Sequence, residues 1–94
     1  MNERQHVKKI EKEFDYIDAK VAEANAELEH MPSEVKDRYS REVEGLKARA
    51  DRLRTEFRET KEAASGLLPE LINKYHDGLE DLKKAFKNMR DRMS

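Results

Sequence analysis

Between Val7 and Met31 the apolar residues fall at Val7, Ile10, Phe14, Ile17, Val21, Ala24, Leu28 and Met31, separated by alternating steps of three and four. A spacing that averages 3.5 residues puts all eight on one narrow stripe of an α-helix, whereas in a strand they would alternate between opposite faces. A stripe this narrow, flanked on both sides by charge, cannot be buried by its own helix. The chain must bring other helices to it.

Two further segments have the same character. The second reads Val35, Tyr39, Val43, Leu46, Ala50, Leu53, Phe57, Thr60 and Ala64, and the third Leu68, Ile72, Tyr75, Leu79, Leu82, Phe86, Met89 and Met93. Their boundaries are chemical. Asn2 with Gln5 forms a capping pair for a first helix, and Pro32 drives Met31 out of the helical region. Ser33 offers a cap for a second helix, with Glu34 and Asp37 in its opening turn. Ser65-Gly66 followed by Pro69 supplies a glycine suited to a helix end and a proline suited to a helix start. The spacing therefore predicts an all-α chain with helices at about 3–30, 33–64 and 67–93.

Matched lengths joined by short turns point to an antiparallel, up-down-up three-helix bundle with heptad coiled-coil packing, spanning residues 1–94 as a single domain. A two-helix hairpin, with the second and third helices merged through Pro69, is the competing architecture, and it would have to dimerise to bury its stripe. Composition agrees with a coiled coil: charged residues make up 44% and hydrophobic residues 36%, enough for a seam that uses two positions in seven.

The charges beside the seam select an arrangement. With Val7, Val43 and Ile72 at heptad position a, a hairpin folded about Pro32 sets Glu11 against Arg54 and Asp18 against Lys47 on one flank of helix 1. The other flank would oppose like charges, Glu13 to Glu56, Lys20 to Arg49 and Glu27 to Glu42. Helix 2 is thus expected on the first flank and helix 3 on the second, where Glu13 falls beside Lys83. Between helices 2 and 3 the expected neighbours are Glu42 with Arg92, Arg49 with Ala85, Glu56 with Gly78 and Ala63 with Leu71. Lys20 facing Arg90 goes against the scheme. Exposed pairs contribute about 0–1 kcal/mol each, so they choose between arrangements without holding the fold together. In outline the arrangement is similar to spectrin-type three-helix coiled coils, although the chain has no Trp and carries no motif of a known family.

Net charge is −1, which is not the basic excess of a nucleic-acid binder. Residues 1–31 carry five Lys/Arg against eight Asp/Glu, while 32–66 and 67–94 are each net +1. The chain has no cysteine, hence no thiolate metal site and no Cys nucleophile. No apolar run has the length of a membrane span or a signal-peptide core, and a cytoplasmic protein is expected.

The most specific chemical pattern is Glu-x-x-His, present as Glu3/His6 and Glu27/His30. Two such pairs on different helices can close round a dimetal centre, but here both lie on one helix about 36 Å apart. His76 is placed to approach His6 at one end of the bundle, and two histidines without a third ligand make a poor metal site. Ser33, Ser40 and Ser65 read as cap, helix surface and turn, and no glycine-rich phosphate loop or nucleophile elbow is present. No cofactor, metal or small-molecule substrate is expected, and the chain reads as a non-enzyme.

What remains is a surface. Tyr16, Ala19, Ala22 and Ala26 lie on the outer face of helix 1, where water would ordinarily meet charge. Small residues at that spacing let a second helix approach closely, so the face is the candidate partner-binding site, for a protein partner or a second copy of the chain. Alanine is also the best helix former, which is the plainer reason for its presence. The other reading, nucleic-acid or anionic-membrane-surface binding, would rest on the basic residues of helices 2 and 3: Lys47, Arg49, Arg52, Arg54 and Arg58, then Lys83, Lys84, Lys87, Arg90 and Arg92.

Overall fold

A computed structural model describes residues 3–62 and 69–93, with the side chains of residues 3, 4 and 93 outside the description. The described chain is all-helical: α1 spans Glu3–Leu28, α2 Ser33–Glu62 and α3 Pro69–Met93. All three pairs of helices touch, and the molecule measures 49 × 20 × 17 Å.

The first connection is closed by backbone bonds. His30 N–H donates to the Glu27 carbonyl at 3.2 Å and Met31 N–H to the Leu28 carbonyl at 3.1 Å, tightening the end of α1 where proline stops it. Lys36 N–H donates to the Pro32 carbonyl at 2.9 Å. Pro32 rather than Ser33 therefore occupies the capping position of α2, because the cap is the residue whose carbonyl accepts the first intrahelical bond. Glu34 and Glu70 stand in the first turns of α2 and α3, and Arg90 and Arg92 in the last turn of α3, each on the side the helix dipole favours. Asn2 and the Ser65-Gly66 turn, with Ala63, Ala64 and the start expected for helix 3 at 67, lie outside the described residues.

The apolar stripes meet in one core. Ile10, Ile17, Leu79 and Met89 are completely inaccessible, and Phe14, Val43, Phe57, Tyr75, Leu82 and Phe86 are buried with them. One aromatic ring from each helix forms its centre: Phe14 lies 5.9 Å from Phe57, and Phe57 lies 5.3 Å from Tyr75 in an edge-to-face contact. The Tyr75 hydroxyl, drawn inside with its ring, is satisfied by the Thr60 hydroxyl at 2.8 Å. The Tyr39 hydroxyl donates to the Arg92 carbonyl at 3.1 Å. In one continuous helix those two residues would be about 80 Å apart. Three separate helices with that contact exclude one continuous helix through residues 33–93. Val35 departs from its stripe, being 38% exposed at the end of the bundle.

The flanks follow the predicted assignment, with the predicted partners on the α3 side in two cases and shifted partners on the α2 side. Asp18 is bound by Arg54 at 2.9 Å, and Glu11 by Lys61 at 3.1 Å, each seven residues farther along α2 than expected. Side chains lean toward the N-terminus of their own helix. On α1 that lean points away from the first turn and on α2 toward it, so a pair between them joins a deeper residue of α2 than folding symmetrically about Pro32 implies. Lys47 is left exposed. On the α3 side Glu13 lies 3.8 Å from Lys83, and Glu42 binds Arg92 at 3.0 Å, as expected. Glu56 reaches Lys74 at 3.3 Å, past the glycine predicted to face it. Glu23 and Glu27 resolve the mismatch of Lys20 with Arg90: Arg90 binds both, at 3.1 and 3.0 Å, and Lys20 binds Glu23 at 3.3 Å.

Candidate partner-binding face

The site is what α1 has left after its neighbours have taken their share. At about 100° per residue, taking Ala19 as zero, the residues bonded to α2 (Asp15, Asp18 and Glu11) lie between about −40° and −100°. Those bonded to α3 (Glu23, Glu27 and Glu13) lie between about +40° and +120°. The strip between is the outer surface. Ala19 at zero and Ala26 at about −20° sit on it, and both are exposed. Ala22, also exposed, sits at about −60° beside the acidic residues that face α2.

Tyr16 separates from the alanines. At about +60° it joins the α3 flank, where its ring is approached by the ammonium groups of Lys20 at 5.1 Å and Lys83 at 5.4 Å. It is 47% exposed, so this contact is worth only about 0.5–1 kcal/mol. The ring edges a shallow groove of about 510 Å³ between α1 and α3, floored by Phe86 and rimmed by Lys84 and Lys87. The sequence signal for this was present: Tyr16 lies four residues before Lys20 and three after Glu13, on the flank assigned to α3.

His76 Nδ1 lies 3.6 Å from Glu13 Oε2, an oxygen that is buried and makes no hydrogen bond, and His6 Nδ1 is likewise buried without a hydrogen bond. Glu27, one member of the Glu-x-x-His pairs, is held by Arg90, and His30 is exposed. Among the described residues no three His, Asp or Glu side chains stand close enough to share a metal ion, and no helix is long and apolar enough to cross a membrane.

Sequence reasoning passed over a second surface. Between α2 and α3, on the side of the bundle away from α1, lies a groove of about 600 Å³ with Leu46, Ala85 and Met89 in its floor and Arg49, Arg52 and Arg92 along its rim. It opens beside Gly45, where an added Cβ would meet nothing within 4 Å. The available signal was a glycine in the interior of a helix with no turn to make.

Fold and surface together define an all-α, three-helix protein with an alanine-rich strip on one side and an arginine-rimmed groove on the other. No protein-family model, curated protein or solved structure matches this chain.

Proposed function

We propose that the chain is a non-enzymatic protein-interaction module, a cytoplasmic scaffold, adaptor or small chaperone, built as an up-down-up antiparallel coiled coil. The order of contacts supports the architecture: partners move down α2 as they move up α1, from Glu11–Lys61 to Asp18–Arg54, and buried residues recur at steps of three and four in α3 and, with half-buried Val21 filling the one longer step, in α1. The observation that carries the function is the exposure of Ala19, Ala22 and Ala26 on a helix whose two flanks are already engaged. At Ala19 and Ala26 the strip carries neither charge nor bulk, which lets another helix approach closely there. We assign it, with Tyr16 at its edge, to a helix of a protein partner or of a second copy.

The test is Ala19→Glu with Ala26→Glu. Both changes are compatible with an exposed helix and leave the bundle intact, as an unchanged circular dichroism spectrum would establish. Loss of self-association in sedimentation, or of partner capture by the tagged protein, supports the reading; undiminished association in both assays sinks it. The basic-face reading has one observation in its favour, since Lys47, Arg49, Arg52 and Arg58 have no ion-pair partner among the described residues. The net charge of −1 weighs against it.

A further inference from the structure

The two glycines described in the helices have opposite explanations. At Gly78 a Cβ would come within 2.9 Å of Leu53 Cδ2, so a larger residue there would have to turn the Leu53 side chain aside where α3 packs on α2. At Gly45 a Cβ would meet nothing. A glycine inside a helix costs about 1 kcal/mol relative to alanine, and no contact among the described residues offsets it. The space it keeps open belongs to the arginine-rimmed groove.

That groove is lengthened by a second depression of about 460 Å³ that shares Arg92 and adds Val35, Tyr39 and Arg38. Together they follow α2 from Glu34 to Arg52, about 27 Å of helix. Their walls carry four arginines against two glutamates; Arg92 and Glu42 are paired with each other, which leaves Arg38, Arg49 and Arg52 against Glu34. The occupant that fits is a helix of about that length or shorter, with small residues toward the floor and acidic residues toward the rim. Residues 15–26 of α1 have this character: Ala19 and Ala26 are exposed on the outer strip with Ala22 beside it, and Asp15 and Glu23, each in an ion pair within the bundle, keep their carboxylate side chains 78% and 49% exposed along its edges, over about 17 Å. In a three-helix bundle the groove between two helices lies opposite the third. The chain therefore presents the acidic alanine face on one side and the basic groove on the other.

We infer that the α2–α3 groove receives the outer face of α1 from a second copy of this chain, giving head-to-tail, side-by-side association. The inference rests on the reading of the α1 face as a docking surface and adds what it docks into. Such an interface is heterologous, so it does not close at a dimer and each added copy exposes a fresh groove. The copies are spaced by roughly the bundle's cross-section, 20 × 17 Å. One helix face in one groove falls short of the roughly 1,600 Å² buried in stable complexes, so the association is weak and is read near millimolar concentration.

The experiment is sedimentation equilibrium of the full chain over about two decades of concentration up to about 1 mM, with two variants that each disable one half. Gly45→Gln fills the groove at a position with room for it. Ala19→Arg with Ala26→Arg blocks the α1 face with bulk and with the charge of the groove's own rim. The wild type is expected to rise continuously above its chain mass of 11.1 kDa. Raising the salt from about 0.1 to about 1 M, which shortens the Debye length from ~10 to ~3 Å, should weaken it several-fold. Each variant alone should stay at the monomer mass. Mixed in equal amounts, the variants should recover association and stop at twice the chain mass, since each retains the half the other lacks.

A wild type that stays monomeric throughout overturns the inference and leaves the α1 face to a different protein. Undiminished association of Gly45→Gln, with the arginine variant monomeric, also overturns it, because the α1 face then pairs with something other than the groove. Association unchanged in both variants overturns the inference together with the reading of the α1 face.

Discussion

Alanine substitution at the two helical glycines separates intrinsic helix preference from packing within one molecule. Gly45→Ala removes the flexibility cost of an interior glycine, about 1 kcal/mol, and its Cβ meets no atom within 4 Å, so packing neither adds nor subtracts. The expected result is a gain of about 1 kcal/mol, or about 4–8 °C in Tm for a domain of this size. Gly78→Ala makes the same backbone gain. Its Cβ, however, would lie 2.9 Å from Leu53 Cδ2, 3.4 Å from Cδ1 and 3.7 Å from Cγ. Leu53 is only half-buried and can turn aside, at about 1–3 kcal/mol for the displaced rotamer and the packing it abandons. The net effect then lies between about zero and about 2 kcal/mol of destabilisation, at least about 1 kcal/mol below Gly45→Ala. Urea unfolding followed at 222 nm measures both, with equal slopes showing that the unfolded states are comparable. Leu53→Ala supplies the cycle: in its presence the packing penalty of Gly78→Ala should largely vanish, a coupling of about 1–3 kcal/mol. Equal gains at the two sites, or a loss at Gly45, would refute the reasoning, since the first denies the crossing contact and the second denies the empty space.

Other expectations follow from the core and the flanks. Phe57→Ala removes the middle ring of the three-helix aromatic centre and should cost about 3–5 kcal/mol, enough to abolish cooperative melting in a domain of this size. Tyr75→Phe should cost about 1 kcal/mol, because the Thr60 hydroxyl loses its partner in a half-buried site; in a Thr60→Val background the same change should cost less. Arg54→Ala gives up Asp15, Asp18 and the Phe14 ring 5.3 Å from the guanidinium, for about 1 kcal/mol after discounting solvent-exposed partners. The ionic part should shrink in about 1 M salt, while the Phe57 effect should not. Solution scattering of the monomer should give a longest dimension near 49 Å, whereas a continuous helix over residues 33–93 would reach about 90 Å.

The parts of the fold that were legible in the sequence are those with one physical solution. Alternating three-four spacing cannot be buried in any other way, so Ile10, Phe14, Ile17, Leu79, Leu82, Phe86 and Met89 could be placed in the core before any coordinates. Pro32 and Pro69 punctuate helices by stereochemistry and were equally plain. The ion-pair partners were less so, because Lys, Arg and Glu span several ångströms and lean along the helix. Sequence position fixes the flank a charge occupies, but lean and reach fix its height, and a displacement of seven residues preserves every sign. That is why Asp18 found Arg54 instead of Lys47, and why Glu23, one position outside the flank considered, could bind Arg90.

The candidate face divides along the same line. Ala19 and Ala26 were placed outward by angle alone, and a methyl group has no reach with which to depart from that placement. Tyr16, only about 60° away, has a ring long enough to turn toward the ammonium groups of α3, so it edges a groove instead of completing the strip. The groove at Gly45 was hidden for a further reason. A pattern of buried residues reports where a chain fills space and says nothing of where it declines to. Surface space left open by a glycine becomes visible only once the neighbours are in place and none of the described ones is found there. A surface defined by such an omission is tested by filling it, and Gly45 is the position where filling should strengthen the fold and weaken whatever uses the groove.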